Sequence, residues 1–285
     1  SVIISVSASL SLPAGCLAPE MLFRRSTRLP QNQTILLAGA SAGMARQLAL
    51  LLAQRPNRFI LFARRQHELQ ELADQLRAQQ CEVLTVCGDA CREEDTNNAV
   101  SLAMAQFGRI DLALLNVGAG PELRMAETSV ADIRQCMELN YLSLANFLPP
   151  LITAMCSQQA DKRGLRGTIA HTNSLAGFIG LPMQGPYSAA KAAGRLLMDS
   201  CRVELEPEGL KFISLYPGFV QTARVNQYDM PAPFAISEVK GAELMLKGLL
   251  SGRDDYLFPG PLSWLIRLAR VLPKCVSKRL LRRVL

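Results

Sequence analysis

Short, continuously apolar runs alternate along this chain with longer stretches in which apolar residues recur every three or four positions. The recurrence is typical of amphipathic helices, as with Leu69, Leu72 and Leu76, and continuous runs this short predict strands buried on both faces. The predicted strands are Thr34–Ala38, Arg58–Phe62, Glu82–Val86, Leu112–Leu115, Thr168–Thr172 and Lys211–Tyr216, with a weaker seventh at Asp255–Phe258. The predicted helices include Gln66–Gln79, Cys91–Phe107, Val130–Ser157, Ser188–Leu205 and Ser237–Leu250.

Regular alternation of strand and helix predicts an α/β fold with one parallel sheet, because parallel neighbours need the crossover that a helix supplies. Right-handed crossovers then give a single Rossmann-type doubly wound sheet of about seven strands with helices on both faces. We expect one domain over residues 31–261, since 285 residues approach the upper limit of one hydrophobic core and no change in composition divides that range. Residues 1–30 and 262–285 flank it as appendages.

The first appendage is Ser-rich and apolar, and Pro13, Gly15 and Pro19 break any helix in it. We expect a disordered leader or arm over residues 1–30. A targeting segment is the alternative, although no positively charged region precedes Val2, as a signal peptide requires.

Charge is distributed unevenly along the chain. The net charge is +7, with 31 basic and 24 acidic residues, and seven of the basic residues fall within 262–285, which contains no acid. Residues 1–261 therefore carry 24 residues of each sign and lack the basic surface that nucleic-acid phosphates need, so we expect no nucleic-acid partner. A hydrophobic fraction of 49% excludes a disordered chain, and no apolar run reaches the length of about 18 residues that a transmembrane helix needs.

The second appendage combines apolar and basic residues at helical spacing. Trp264, Leu268 and Val271 alternate with Arg267 and Arg270. A basic amphipathic helix with a tryptophan is typical of segments that bind a membrane surface. We expect this segment either to hold the protein peripherally at the inner face of a membrane or to pack on the domain or a partner subunit.

The eight cysteines and two histidines form no pattern typical of a metal site. No C-x-x-C occurs, and neither His67 nor His171 has a neighbour of ligand type, so we expect no metal. Cysteines within apolar runs, such as Cys156 and Cys201, are typical of reduced thiols and predict a cytoplasmic protein. We expect His171 to be a hydrogen-bonded strand residue rather than a catalytic one.

A turn of small residues follows the first predicted strand. Gly39, Ser41, Gly43 and Met44 lie between that strand and a helix, with the spacing G-x-x-x-G-x-A. Small residues let backbone N–H groups approach a pyrophosphate at the N-terminus of the helix, so the turn predicts a dinucleotide site. An ordinary structural turn is the alternative, since such turns are common in α/β proteins.

The end of the second predicted strand indicates which dinucleotide binds. NAD-binding chains usually place Asp or Glu here to accept a hydrogen bond from the ribose 2′-hydroxyl. Arg64 and Arg65 follow instead, and guanidinium groups suit a 2′-phosphate. We therefore expect NADP(H) rather than NAD(H), against the alternative that the two arginines are merely solvated.

Tyr187 and Lys191 stand four residues apart at the start of a predicted helix, which places them on one helix face. An ammonium beside a phenol favours the phenolate, so this spacing predicts that the pKa of Tyr187 falls from about 10 toward neutral. Such a group is suited to proton transfer between a hydroxyl and a carbonyl. Ser174 precedes Tyr187 by thirteen residues and lies just after the fifth predicted strand.

Taken in order, these motifs resemble the classical short-chain dehydrogenase/reductase family over about residues 33–260. The resemblance implies that Tyr187 gives a proton to the substrate oxygen, that Ser174 hydrogen-bonds this oxygen, and that Lys191 holds the nicotinamide ribose. It also implies that Asn140 positions a water that relays protons to Lys191. The motif residues are Gly39, Gly43, Ala45, Asp89, Asn116-Val117-Gly118, Asn140, Ser174, Tyr187, Lys191 and the segment from Pro217 to Thr222.

The same resemblance assigns contacts to the cofactor. Asp89 is expected to bind the adenine amine, and Asn116 and Gly118 are expected to line the adenine-ribose side. The residues expected at the nicotinamide end are Pro217, Gly218, Val220 and Thr222, in addition to Tyr187 and Lys191.

Four positions depart from the family's pattern: Ala38 replaces a threonine, Ala45 replaces a glycine, and Leu115 and Val117 replace the first asparagine and the alanine of the usual Asn-Asn-Ala-Gly. We expect these changes to loosen cofactor binding and to leave the catalytic residues intact. The resemblance thus implies an NADP(H)-dependent oxidoreductase that interconverts a carbonyl and an alcohol, as a homodimer or tetramer. The alternative is a catalytically degenerate NADP-binding scaffold or sensor at a membrane surface.

The expected substrate is apolar or lipid-like. We interpret Ala223–Ser237 as a lid whose apolar side chains cover the substrate, although packing alone accounts for these residues equally well. The residues concerned are Met125 and Met183 near the rim and, within the lid, Tyr228, Met230 and Phe234, with Arg224 expected to face solvent.

Overall fold

The computed structural model of the chain describes residues 29–221 and 234–284. Its main strands are β1 (Thr34–Ala38), β2 (Arg58–Ala63), β3 (Glu82–Cys87), β4 (Leu112–Leu115), β5 (Gly167–Thr172), β6 (Leu210–Pro217) and β9 (Asp255–Phe258). They form one parallel sheet in the order β3-β2-β1-β4-β5-β6-β9. A separate parallel pair consists of β7 (Val220–Gln221) and β8 (Ile236–Ser237). The predicted doubly wound sheet is therefore confirmed, and each predicted strand is present within one residue of its expected bounds.

Helices cover both faces of the sheet, because its strands are apolar on both sides. They are α1 (Gly43–Leu52), α2 (Gln66–Arg77), α3 (Glu93–Phe107), α4 (Val130–Met137), α5 (Ser143–Ala145), α6 (Leu148–Ser157), α7 (Gly185–Leu205), α8 (Glu238–Leu250), α9 (Gly260–Val271) and α10 (Lys274–Val284). Buried side chains of α1, α2 and α8 pack on one face of the sheet. Those of α3, α6 and α7 pack on the other face.

The helix predicted over Val130–Ser157 is interrupted rather than continuous. After α4 the chain forms one π-helical turn, Glu138–Leu142, which contains the fully buried Asn140. A second break precedes α6, which has Pro149 in its first turn. Proline lacks an N–H and clashes with the preceding turn, so it is tolerated only where a helix begins. The apolar periodicity of this range gives no indication of either break.

The two C-terminal helices are separated at Pro273, and α9 packs on the domain through Leu262, Ile266 and Ala269. No helix among residues 29–221 and 234–284 is long and apolar enough to cross a membrane. Residues 1–28 of the expected leader, and residues 222–233 of the expected lid region, lie outside the described part of the chain.

Candidate active site

A cavity of about 570 Å³ lies at the carboxyl ends of the strands, where the strand order reverses between β1 and β4. Ligands of open parallel sheets bind at such a reversal. The structure brings nearly all of the predicted site residues to this one cavity. Those that line it are Gly39, Ser41, Gly43, Met44, Arg64, Arg65, Asp89, Asn116, Gly118, Ser174, Tyr187, Lys191, Pro217, Gly218 and Val220.

The glycine loop presents backbone rather than side chains to the cavity. Gly39 has a left-handed φ of 79°, and a Cβ there would lie 3.2 Å from the Asn116 carbonyl oxygen, so this position strongly favours glycine. Helix α1 then begins at Gly43 with no side-chain cap and no acid in its first turn. Its N–H groups and positive dipole end remain available to an anion such as a pyrophosphate.

A second observation fits a dinucleotide in this cavity. The Oδ1 atom of Asn116 is buried and has no hydrogen-bond partner among the described residues. A buried acceptor without a donor is costly, and a ligand donor would satisfy it. Together with the open N-terminus of α1, this residue fits a cofactor on the ribose side of the cavity, where the resemblance places Asn116.

The arginine pair after β2 borders the same cavity. Arg65 donates from Nη2 to Oγ of Ser41 over 3.1 Å, and its Nη1 lies 3.0 Å from Oε1 of Glu68. Arg64 is 66% exposed and lies 3.9 Å from the carboxylate of Asp89. The Arg65 guanidinium therefore sits beside the glycine loop, and Arg64 lines the same cavity next to Asp89, so both are placed where a 2′-phosphate could use them.

Tyr187 lies in the first turn of α7 and is half-buried, whereas Lys191, one turn later, is buried. The Lys191 ammonium donates to the Thr172 carbonyl oxygen over 3.0 Å and lies 5.8 Å from the centre of the Tyr187 ring. Ser174 follows β5, and its Oγ accepts a hydrogen bond from the Ala176 N–H over 3.2 Å. The two hydroxyl groups and the ammonium thus meet at one end of the cavity.

The electrostatics of this group differ from the sequence-based expectation. Burial raises the pKa of Tyr187 to about 12, and a hydrogen bond with Ser174 opposes that rise. Burial also lowers the pKa of Lys191 to about 8. The Tyr-Lys spacing predicts a lowered pKa for Tyr187, and in this structure that direction is wrong. The reason is that loss of solvent around the phenolate outweighs the other influences on it.

Asn140 does not line the cavity but supports its wall. Its Oδ1 accepts from the Ala119 N–H over 2.9 Å, and its Nδ2 donates to the carbonyl oxygens of Ala119 and Cys136 over 2.9 and 3.0 Å. A Cβ on Gly118 would lie 2.8 Å from Oδ1 of Asn140 and 3.1 Å from Nζ of Lys191. The Asn140 amide therefore fixes the loop that follows β4 against Lys191.

His171 is buried, with 1% exposure, as expected of a strand residue. The hydrogen bond predicted for its side chain is absent among the described residues. Neither of its ring nitrogens has a partner among the described residues, and its Cε1 lies 3.1 Å from the position of a Cβ on Gly194. Burial and the nearby Lys191 charge hold the pKa of His171 well below its usual value. The ring is therefore neutral at physiological pH.

One charged residue of the cavity is absent from the motif-based prediction. Glu238, the first residue of α8, lines the cavity, and its Oε1 lies 3.9 Å from the position of a Cβ on Gly43. Glu238 is far from the glycine loop in sequence, so the sequence gives no indication that the two lie close together. Their proximity depends on the packing of α8 beside α1. The only available signal is Ser237, a typical N-cap that places Glu238 in a first helical turn.

The predicted substrate-side residues are only partly described. Met125 and Phe234 are each 57% exposed, and Leu123 donates to the Met183 carbonyl oxygen over 2.7 Å beside the start of α7. None of the three predicted apolar residues, Met125, Met183 and Phe234, lines the cofactor cavity. The predicted residues Thr222, Arg224, Tyr228 and Met230 lie outside the described part of the chain.

Comparison with known proteins places these features in context. A family model described as short chain dehydrogenase matches residues 33–231. An uncharacterized oxidoreductase of Myxococcus xanthus is 33% identical over 241 residues, which cover 85% of this chain and 93% of the relative. An A-factor type gamma-butyrolactone 1′-reductase of Streptomyces virginiae is 30% identical over 207 residues, covering 72% of this chain and 78% of the relative.

The fold is also similar to solved structures. A short chain dehydrogenase/reductase from Burkholderia phymatum in complex with NAD superposes with a TM-score of 0.75 at 20% identity. The match covers 85% of this chain and 94% of that structure. At this level of identity the similarity shows the fold.

Proposed function

Because the chain belongs to the short-chain dehydrogenase family, we propose that it is an NADP(H)-dependent carbonyl reductase with an apolar or lipid-like substrate. The family and the relatives establish an oxidoreductase that acts on CH–OH groups with a nicotinamide cofactor. The proposal adds the cofactor preference, the direction of the reaction, the roles of the catalytic residues and the substrate class.

The observation that carries the proposal is that Ser174, Tyr187 and Lys191 line the same cavity as the glycine loop and the arginine pair. When bound here, a nicotinamide dinucleotide supplies the hydride. The O–H of Tyr187 donates a proton to the substrate oxygen, and the O–H of Ser174 donates a hydrogen bond to it as negative charge develops. Lys191 binds the nicotinamide ribose, and Asn140 holds the Gly118 loop against it.

The electrostatics of Tyr187 favour reduction as the direction at neutral pH. A pKa raised to about 12 keeps the phenol protonated, and a protonated phenol is the proton donor that carbonyl reduction requires. Oxidation of an alcohol needs the phenolate instead, so it is expected to become faster as the pH rises.

The preference for NADP(H) is supported by Arg64 and Arg65. Both line the cavity that the glycine loop borders, and no acid occupies the end of β2, where NAD-binding chains hold the ribose hydroxyl. The carboxylate of Asp89 lies 3.9 Å from the Arg64 guanidinium. Asp89 follows β3, so it does not take the position at the end of β2.

An apolar substrate is supported by the surroundings of Ser174. The 3₁₀ turn after it, Leu175–Phe178, contributes Leu175 and Phe178 to a cluster with Tyr216 and Leu262. This cluster packs behind Ser174 and does not itself line the cavity, so the substrate class also draws on the relative from Streptomyces virginiae, which is named as a reductase of a gamma-butyrolactone.

A cytoplasmic homodimer or tetramer completes the proposal. Apolar side chains are exposed along the helices that carry the catalytic residues, with Leu142 at 42%, Leu196 at 60% and Val203 at 83% exposure. Burial of this surface between copies of the chain would remove these side chains from water.

The test is a fluorescence titration of the purified full chain with NADPH and NADH, followed by reduction of a panel of apolar ketones and aldehydes. We expect tighter binding of NADPH and turnover that is lost in Tyr187→Phe, by about 10²–10⁴-fold, with NADPH binding retained. Tyr256→Phe, which alters a half-buried tyrosine outside the cavity, is the matched control. Binding without turnover in the wild type would instead support the scaffold or sensor.

A further inference from the structure

Helix α9 is a fixed part of the domain and not a free tail. One of its faces is buried, with Leu262 at 6%, Ile266 at 5% and Ala269 at 3% exposure. Leu262 and Ile266 join the apolar cluster of Leu175 and Tyr216. The orientation of the opposite face of α9 is therefore set by this packing.

That opposite face is also apolar. Trp264, Leu268 and Val271 repeat at helical spacing and are 71%, 52% and 79% exposed. We call these three residues the outer face of α9. In α10 the neighbouring Val276 is 46% exposed as well. A helix with one apolar face against its own domain needs no second one, so the outer face is typical of a surface that contacts something else.

Positive charge is concentrated on the two helices that carry the outer face and Val276, although the guanidinium of Arg270 lies 5.0 Å from the Phe178 ring of the domain. The guanidinium of Arg267 lies 5.9 Å from the Trp264 ring. No acid follows Asp255 in the chain. Five cations of α9 and α10 form no ion pair with any acid in the described ranges 29–221 and 234–284: Arg267, Arg270, Lys274, Lys278 and Arg279.

We propose that the outer face of α9 and the cations around it dock the protein on an anionic lipid bilayer. A tryptophan with aliphatic neighbours inserts at the level of the headgroups, and the flanking lysines and arginines bind anionic headgroups. A second copy of the chain is a poorer occupant, because a two-fold interface would set this basic surface against itself. Charge complementarity thus selects the bilayer.

Docking on this face would bring the bilayer close to the substrate end of the cavity. Leu262 of α9 lies so near Gly218 that a Cβ on the glycine would be 2.6 Å from Cδ2 of Leu262, and it clusters with Leu175, which follows Ser174. The docking surface and the catalytic serine are therefore joined by one packed cluster. The docking itself does not depend on the proposed reaction.

The chain offers a direct probe, because Trp264 is its single tryptophan. The full chain is mixed with vesicles of phosphatidylcholine alone and with vesicles containing about one third phosphatidylglycerol. We expect a blue shift of Trp264 emission and cosedimentation with the anionic vesicles only. High salt is expected to weaken both signals, since the attraction is screened over a Debye length of about 3 Å at 1 M salt.

Two variants separate the apolar and the electrostatic contributions. Leu268→Ser with Val271→Ser keeps the probe and is expected to weaken vesicle binding by about tenfold or more. Arg267→Gln with Lys274→Gln and Lys278→Gln is expected to weaken it by roughly fivefold for each charge.

The matched control replaces two apolar residues that are exposed elsewhere, Leu102→Ser with Val130→Ser, and should bind vesicles like the wild type. All variants are first checked for an unchanged melting temperature and for NADPH binding. The proposal is overturned if anionic vesicles change neither the Trp264 emission nor the sedimentation of the protein. It is also overturned if two results are found without lipid: Trp264 emission shifts with protein concentration, and the double variant Leu268→Ser/Val271→Ser has a lower oligomer mass than the wild type. Those results would show that a second copy of the chain covers the outer face.

Discussion

Arg65 donates a hydrogen bond of 3.1 Å from Nη2 to Oγ of Ser41, which joins the end of β2 to the glycine loop that follows β1. The other side of the same guanidinium is held by Glu68, at 3.0 Å. Two partners therefore hold a group that is 56% exposed at the edge of the cavity. Little side-chain entropy remains to be lost when an anion binds there.

Replacement of this arginine should discriminate between the two cofactors. In Arg65→Ala we expect the Kd for NADPH to rise about 10- to 100-fold, the loss of one charge-assisted hydrogen bond of about 1.5–3 kcal/mol. The Kd for NADH should change little, because it has no 2′-phosphate. Both constants are measured by nicotinamide fluorescence. Arg77→Ala, which removes an exposed arginine of α2 outside the cavity, is the control. Equal losses for NADPH and NADH would count against a 2′-phosphate site.

Glu238 opposes the cofactor at the other end of the glycine loop. Its Oε1 lies 3.9 Å from the position of a Cβ on Gly43, close enough to repel a pyrophosphate bound at the N-terminus of α1. In Glu238→Gln we expect NADPH to bind about two- to fivefold more tightly, which corresponds to about 0.3–1 kcal/mol. The gain should be larger at low salt, because added ions screen the repulsion.

Glu243→Gln is the matched control for this change. Glu243 is in the same helix, is 49% exposed and pairs with Lys240. Its replacement removes the same charge and should leave the Kd for NADPH unchanged. Weaker binding in Glu238→Gln would show that this carboxylate accepts hydrogen bonds from the cofactor rather than repelling it.

The strands and most helices follow from sequence because their signal is local. Each buried strand is a short apolar run, and the helices that cover the sheet carry one apolar face, so the pattern predicts their type and order. The π-helical turn at Asn140 carries no such signal, because it preserves the apolar spacing on either side. The sequence of α9 predicts an amphipathic helix. Which of its faces is buried depends on packing against Leu175 and Tyr216, which the sequence does not indicate.

The site is predictable as a set of residues but not in its energetics. Motif order places Ser174 just after the fifth strand and places Tyr187 and Lys191 in the helix that follows, and the structure brings them to one cavity. Their pKa values depend on how much solvent the fold removes, which spacing does not encode. The same holds for His171, whose unpaired nitrogens result from its three-dimensional neighbours, and for Glu238, which approaches Gly43 from a distant helix.

Asn140 is predicted to hold the loop after β4 through its side-chain amide. Asn140→Asp keeps an acceptor for the Ala119 N–H but sets a carboxylate against the carbonyl oxygens of Ala119 and Cys136, in a fully buried position. We expect a loss of about 2–4 kcal/mol in the free energy of unfolding, measured by urea denaturation. Gln135→Glu, which adds the same charge at an exposed position of the preceding helix α4, should cost little. Similar losses in both variants would mean that net charge, and not the loop, is responsible.

Lys191 is predicted to reduce stability in return for its role in the site. It is 3% exposed, and burial lowers its pKa from 10.5 to about 8. Below pH 8 the ammonium is charged in both the folded and the unfolded chain, so the full desolvation cost is present. Between pH 8 and 10.5 the folded chain has lost the proton and the unfolded chain still holds it, so stability rises with pH.

Lys191→Met preserves the length of the side chain and removes this cost. A shift from 10.5 to about 8 corresponds to about 3 kcal/mol, from which the lost hydrogen bond to the Thr172 carbonyl takes about 1 kcal/mol. We expect the variant to be inactive and yet more stable than the wild type at pH 7, with a gain that shrinks between pH 8 and 10. Urea denaturation at both ends of this range measures it. Lys240→Met, at a lysine that is 57% exposed, should give no gain that depends on pH. A variant less stable at pH 7, or equally stabilised at every pH, would show that Lys191 is well solvated in the folded protein.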